Sequence, residues 1–153
     1  MIKLVSYESK YLQDMIGLFK DTVHTINRRD YTAKQVAIWA PKHIDETAWH
    51  ESFCEHDTII ALKNSMVVGF IDKQEAYIDR LYVHKDYQGQ GIASKLLEEI
   101  EAMVLKDKQK YLQVAVSITA KAFFLNKGYK IIRQQQIERQ DEIFINFLME
   151  KHF

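Results

Sequence analysis

The sequence is poor in the residues that build disulfide-bonded or irregular chains: its 153 residues include one cysteine, one proline and five glycines. The single Cys54 excludes an intramolecular disulfide and a cysteine-rich metal site, and we expect it to be a small buried residue. No segment approaches the roughly 20 apolar residues that cross a bilayer. The first residues, MIKLVSYESKYLQ, lack the apolar stretch of a signal peptide. We therefore expect a cytoplasmic protein that does not bind membranes.

Net charge is also absent, because 21 basic residues balance 21 acidic ones. This balance argues against a surface for nucleic acids or anionic membranes. Hydrophobic residues make up 47% and charged residues 27% of the chain, close to globular averages, which excludes disorder and fibrous repeats. The length suits one domain, and no linker, repeat or low-complexity tract divides it. We expect residues 1–153 to form a single domain, as a monomer or homodimer.

Hydrophobic periodicity predicts a mixed α/β domain with the order β-α-α-α-β-β-β-α-β-α-β-β. Strands are expected at residues 2–5, as two stretches of TIIALKNSMVVGFI (residues 58–71) on either side of Lys63-Asn64-Ser65, and at 76–83, 111–116, 129–138 and 143–149. Helices are expected at residues 11–23, 33–40, 46–53, 92–104 and 119–126.

Two of the five glycines, Gly89 and Gly91, lie between a predicted strand and a strongly amphipathic helix. The first N–H groups of a helix have no intrahelical partners, and glycines allow a phosphate to approach them closely. The alternative is an ordinary strand-to-helix turn. The segment lacks the third glycine of the dinucleotide fingerprint and the Gly-Lys-Ser/Thr ending of the P-loop, which argues against NAD and ATP sites.

The segment Gln88-Gly89-Gln90-Gly91-Ile92-Ala93, with Leu81-Tyr82-Val83 before it, resembles the Gln/Arg-x-x-Gly-x-Gly/Ala signature of the GNAT superfamily of N-acetyltransferases. Downstream, SITAKAFFLNKGY (residues 117–129) is similar to the family's Ala-x-x-Phe-Tyr/Phe-x-x-x-Gly-Phe segment. The start (TAKQVAIWAP) and the end (INFLMEK) resemble a small bacterial branch of the family, so the resemblance covers nearly the whole chain. It implies the GNAT fold: a central, mostly antiparallel sheet flanked by helices, whose fourth and fifth strands splay apart.

The resemblance also implies acetyl-CoA as co-substrate and no metal. It assigns the pantetheine arm and thioester to the backbone of Leu81, Tyr82 and Val83. The pyrophosphate would be held by Gln88, Gly89, Gln90, Gly91, Ile92, Ala93 and Ser94. Ser117, Phe123 and Phe124 would lie beside the cofactor arm. The six histidines show no tight metal-ligand spacing, which agrees with the absence of a metal.

Transfer to an amine requires loss of a proton, because an ammonium has no lone pair with which to attack. Asp79 occupies a place where many relatives carry an acidic residue, and it is the candidate general base. Glu75, Asp72 and His84 are weaker candidates. Alternatively, Asp79 forms an exposed ion pair with the adjacent Arg80.

The family often protonates the leaving thiolate with a tyrosine, and this sequence has Phe124 at that position. The departure puts the usual general acid in doubt. Tyr82, Tyr111 and Tyr129 are possible substitutes, although each also suits core packing.

In the family, the early helices and the loop between them build the acceptor pocket, which here spans residues 22–39. Tyr31 and Trp39 are candidates for its wall, and His24 or Asp30 for polar contacts. The alternative for all four is ordinary helix packing.

The sequence therefore predicts an acetyl-CoA-dependent N-acetyltransferase. A primary amine of a small molecule or peptide would attack acetyl-CoA directly, in a ternary complex with the enzyme. Phe124 leaves open a catalytically weak or inactive CoA-binding regulatory module. A regulatory domain that binds another phosphate ligand is a third possibility. The identity of the acceptor does not follow from the sequence.

Overall fold

A computed structural model describes all 153 residues, and its elements follow the predicted order. The seven strands are β1 (Ile2–Ser6), β2 (Asp57–Lys63), β3 (Met66–Gln74), β4 (Tyr77–Val83), β5 (Tyr111–Ser117), β6 (Lys130–Arg139) and β7 (Glu142–His152). The five α-helices are α1 (Leu12–Thr25), α2 (Ala33–Trp39), α3 (Glu46–Glu55), α4 (Ile92–Lys106) and α5 (Lys121–Asn126). Short 3₁₀ turns flank α1 at Ser9–Tyr11 and Asn27–Arg29.

The strands form one sheet in the order β1-β2-β3-β4-β5-β7-β6. Every neighbouring pair is antiparallel except β4 and β5, which run parallel. These two strands pair only at Tyr77 with Gln113 and at Ile78 with Val114, and beyond these pairs they separate. The expected mostly antiparallel sheet, with a splay between the fourth and fifth strands, is confirmed.

The central strands β2 and β3 are buried on both faces, each face against different helices, whereas the edge strand β6 is exposed. Because side chains alternate along a strand, Ile59 and Ala61 of β2 join the core under α4. Their neighbours Ile60 and Leu62 join the core formed with α1, α2 and α3. The splay between β4 and β5 therefore opens in a sheet that is covered on both sides. None of the helices is both long enough and apolar enough to span a lipid bilayer.

Local sequence signals explain several boundaries. Asn64 and Ser65 both adopt positive φ, 50° and 66°, as the two-residue turn of the β2–β3 hairpin requires. Thr32 and Gln35 form a reciprocal capping box at the start of α2. Helix α5 begins at Lys121, later than predicted, because Ser117 accepts the Ala120 N–H in a preceding turn.

The expectation for Cys54 is wrong, because its side chain is exposed on α3. Its Sγ lies 3.6 Å from Nε2 of His50, one helical turn earlier. Residue type alone favours burial of a cysteine, whereas the orientation of α3 against the sheet decides which face of the helix meets solvent.

Candidate functional site

A cavity of about 460 Å³ occupies the splay between β4 and β5. It continues to the first turn of α4 on one side and to the end of α1 and to α2 on the other. Most of the residues predicted to form the site line it: Asp79, Leu81, Tyr82, Val83, Gln88, Gly89, Gly91, Ile92, Ala93, Ser94, Ser117, Phe123, Phe124 and Trp39. The structure thus brings together the two motif segments of the sequence analysis and part of the early helices.

The glycine turn forms the end of the cavity next to α4. Gly89 and Gly91 have φ of 72° and 79°, a left-handed conformation that side chains rarely adopt. Gly91 is the N-cap of α4. The first helical hydrogen bond runs from the N–H of Lys95 to the carbonyl of Gly91, at 3.1 Å. The N–H groups of residues 92–94 therefore have no helical partner. They form a concentration of backbone donors at the positive end of the helix dipole.

Gln90 is the one predicted turn residue that does not line the cavity. Its side chain is directed to β2, where its Oε1 accepts a hydrogen bond from Lys63 Nζ at 3.3 Å. Gln88 instead secures the turn, because its Nε2 donates to the Val83 carbonyl at 2.7 Å.

The backbone at the end of β4 faces the gap. His84 N–H bonds to Val68 of β3, whereas the Val83 carbonyl accepts from Thr22 Oγ1 at 2.9 Å and from Gln88. Because main-chain groups alternate in direction along a strand, Leu81 and Val83 present theirs to the gap. Tyr82 presents its main-chain groups to β3.

A β-bulge lies at Asp79. The register pairs Lys73 with Ile78 and Asp72 with Arg80, which leaves Asp79 as the extra residue of β4. A bulge changes the direction in which a side chain points. Here the successive side chains of Asp79 and Arg80 both lie on the face of the sheet that α3 covers. The Asp79 carboxylate, 42% exposed, lies 3.4 Å from Nη2 of Arg80.

The Arg80 guanidinium belongs to a buried network that the sequence analysis missed. It donates to both carboxylate oxygens of Asp72, at 3.0 and 2.6 Å, and Asp72 is fully buried. His56 Nδ1 lies 2.7 Å from Asp72 Oδ2 and 4.0 Å from Asp79 Oδ2. Trp49 and Phe53 of α3 stack on the guanidinium. Because His56 is 16 residues from Asp72, no local spacing could have indicated this contact.

The donor atoms of His56, Asp72 and Asp79 are near enough to one another to suggest a metal site. However, Arg80 already places a positive charge against both carboxylates. A cation among them would meet electrostatic repulsion from the guanidinium. The cluster is therefore better described as an ion-pair network that holds Asp79 at the edge of the cavity.

The weaker candidates for a base lie elsewhere or are engaged. Glu75 is exposed in the β3–β4 turn, and Asp72 is bound by Arg80. His84 accepts the Asp86 N–H through Nδ1 at 3.1 Å. Asp79 is thus the candidate that lines the cavity and whose side chain is also partly open to solvent.

None of the three tyrosines considered as acids suits that role, although the O–H of Tyr82 donates to no protein group. Tyr129 donates to Glu101 at 2.7 Å, and burial together with this carboxylate raises the pKa of Tyr129. Tyr82 accepts from Trp39 Nε1 at 3.2 Å, and burial raises the pKa of Tyr82. Tyr111 is exposed on β5 outside the cavity. Phe124 is buried against Tyr129 and lines the cavity.

On the side of the cavity formed by the early helices, Trp39 contributes to the wall and Tyr31 does not. Tyr31 is buried behind Trp39, with ring centroids 5.1 Å apart. Its hydroxyl donates to the Ile145 carbonyl and accepts the Ile118 N–H, so it ties this segment to the sheet. The expected place of Tyr31 in the wall is therefore wrong. His24 and Asp30 also bond within the protein, to Ala40 and Thr119.

Comparisons with known proteins agree with this geometry. Residues 27–151 match the model of the acetyltransferase (GNAT) domain family. The chain is 34% identical over 148 residues to YafP of Escherichia coli K12, described as an uncharacterized N-acetyltransferase, covering 97% of this chain and 94% of the relative.

Two solved structures are similar in fold. One is a GCN5-related N-acetyltransferase from Rhodopseudomonas palustris (26% identity, TM-score 0.94, 99% of this chain and 95% of that one). The other is PaiA N-acetyltransferase from Thermoplasma acidophilum in complex with coenzyme A (17% identity, TM-score 0.82, 100% and 99% of the two chains).

Proposed function

This chain belongs to the GNAT family of acetyltransferases, and from that premise we propose that it transfers the acetyl group of acetyl-CoA to a primary amine of a small molecule or peptide. The amine attacks directly while both substrates are bound, so no acyl-enzyme forms.

One observation carries the proposal: the open strand edges at the splay continue into the left-handed glycine turn at the start of α4. This shape fits acetyl-CoA, in which an extended arm with amide groups continues from a pyrophosphate. The free N–H groups of residues 92–94 would bind the pyrophosphate. The main-chain groups of Leu81 and the N–H of Val83 would bond to the arm, as a neighbouring strand would.

Acetyl-CoA supplies an activated acyl thioester, and the residues of this chain position it and move protons. The N–H of Val83 faces the gap and is suited to donate to the oxygen on which negative charge develops. Asp79 takes the proton of the acceptor ammonium, directly or through a water, because a free amine must form from a group whose ordinary pKa is about 10.4. The Arg80 network holds the Asp79 side chain in place.

Departure of the thiolate proceeds without a tyrosine acid, since Phe124 occupies the usual position. A thiol with a pKa of about 8.5 is a tolerable leaving group without protonation. The same residue favours one alternative, a module that binds CoA without transferring the acetyl group.

Release of free thiol from acetyl-CoA, measured against a panel of primary amines, tests the proposal. We expect saturable release that depends on the amine. Saturable CoA binding without release above background would instead support the non-catalytic module. If another nucleotide raised the melting temperature and CoA did not, both the acetyltransferase and the CoA-binding module would be contradicted.

A further inference from the structure

The cavity wall formed at the end of α1 contains a side-chain amide that the chemistry above does not use. Asn27 is only 6% exposed and lines the cavity. The neighbouring polar side chains of Thr22, His24, Arg28 and Tyr31 each bond to a protein group. The side-chain amide of Asn27 makes no hydrogen bond within the protein.

The position of Asn27 follows from the two contacts that fix its segment. At one end, Thr22 bonds to the Val83 carbonyl of β4, and at the other, the Tyr31 hydroxyl bonds to Ile118 just after β5. Residues 22–31 therefore cross from one splayed strand to the other. Asn27 lies between the two contacts and lines the cavity on the side opposite the first turn of α4.

The fold does not need this side chain. The main-chain carbonyl of Asn27 accepts the N–H groups of Asp30 and Tyr31, at 2.9 and 3.1 Å, and these bonds hold the turn whatever the side chain is. The amide atoms of Asn27 are nevertheless not sealed inside the protein, because the buried side-chain polar atom without a partner is Gln109 Oε1. The Asn27 amide is therefore open to the cavity and free to bond to a ligand. Groups of this kind are found where binding, rather than stability, determines the residue.

Resting on the proposed function, we propose that Asn27 binds a carboxamide or peptide group adjacent to the reacting amine, so that the acceptors are amino-acid amides or peptide amino termini. A side-chain amide offers both donors and an acceptor, and another amide is the group that satisfies both. A free carboxylate would leave the Asn27 oxygen unpaired and would enter a cavity that is already lined by the acidic residue Asp79. Ile26 and Trp39 line the same wall and suit an apolar side chain of the acceptor.

Two acceptors that differ only by a carboxamide test this inference: L-phenylalaninamide and 2-phenylethylamine. The measured quantity is the kcat/KM for L-phenylalaninamide divided by the kcat/KM for 2-phenylethylamine. This ratio is compared between the wild type and Asn27→Leu. Because the wild type and the variant are assayed with the same two amines, the difference in basicity between the amines cancels when the two ratios are compared. We expect the ratio to fall by roughly 5- to 150-fold in the variant, the equivalent of one or two lost hydrogen bonds.

Asn27→Asp keeps the shape and removes the two N–H donors, so the ratio should fall in this variant too. Asn126→Leu, at an exposed asparagine outside the cavity, is the matched control and should leave the ratio unchanged. The melting temperature of Asn27→Leu should equal or exceed that of the wild type. If Asn27 had a structural role instead, its replacement would lower the melting temperature.

Failure of this inference is distinguishable from failure of the proposed function. An unchanged ratio in Asn27→Leu, with active protein, refutes the role of Asn27 and leaves acetyl transfer intact. If no amine supports thiol release, the proposed function fails, and thermal shift by L-phenylalaninamide in the presence of CoA becomes the test. A shift that Asn27→Leu abolishes supports the amide site, and the lack of any shift in the wild type refutes it.

Discussion

Substitution of Gly91 by glutamate gives a direct test of the anion site. Gly91 has a φ of 79°, and a Cβ placed on it would meet no atom within 4 Å. A side chain at this position therefore causes no clash in the protein itself and projects from the N-cap of α4. The variant changes the entrance to the free N–H groups of residues 92–94, and glutamate adds a negative charge that competes for them.

The expected magnitude follows from the bonds that would be lost. Each hydrogen bond between an N–H and a charged ligand contributes about 1.5–3 kcal/mol, so displacement from about two of them weakens CoA binding by roughly 150- to 25,000-fold. The left-handed backbone adds about 1–2 kcal/mol of strain to any side chain, which lowers the melting temperature by about 2–8 °C. Gly91→Ala should show the strain with a smaller loss of affinity.

Isothermal titration with CoA and with pantetheine, which lacks the pyrophosphate, measures the effect. Gly128→Ala is the matched control, because Gly128 also has a positive φ of 91° and a Cβ there makes only an ordinary 3.6 Å contact with Lys151. This control should lose comparable stability and keep its affinity for CoA. The pyrophosphate site would be refuted if Gly91→Glu bound CoA within about threefold of the wild-type affinity. It would also be refuted if the variant lost as much affinity for pantetheine as for CoA.

Three further predictions concern catalysis and stability. Asp79→Asn should lower kcat by roughly 100- to 10,000-fold and flatten the alkaline-rising limb of the pH–rate profile, with CoA affinity unchanged; an unaltered profile would assign the base elsewhere. Gly69→Ala would place a Cβ 3.0 Å from the Ile92 side chain, and the overpacking should cost about 1–3 kcal/mol, seen as a melting temperature lower by about 2–12 °C. Burial and Glu101 raise the pKa of Tyr129 above 10.0, so the unfolded chain releases this proton first and stability falls as the pH rises above about 10. In Tyr129→Phe, the dependence of the melting temperature on pH should be shallower in this range, and equal slopes would contradict the assignment.

Much of the site was predictable because its signals are local. The two glycines mark a left-handed turn before an amphipathic helix, and a turn depends only on the residues within it. The order of strands and helices likewise follows from periodicity over short windows. The family resemblance then predicts that the cofactor arm lies in the gap that the pairing of β4 and β5 leaves open.

The polar side chains around the gap were harder to predict. Trp39 and Tyr31 are both aromatic residues of the same segment, yet one lines the cavity and the other supports it from behind. His56 gave no signal, because its partner Asp72 lies on another strand. Asn27 was not distinguished from any other polar residue near a helix end.

The sequence by itself determined the element order, the left-handed glycine turn and the donors that this turn exposes, since each depends on neighbours along the chain. Tertiary structure alone decided which side chains meet in the gap. The bulge at Asp79 depends on the register between β3 and β4, and the placement of Asn27 depends on contacts with β4 and with the end of β5. These contacts join residues as many as 87 positions apart, where no local pattern of residue types can indicate which groups become neighbours.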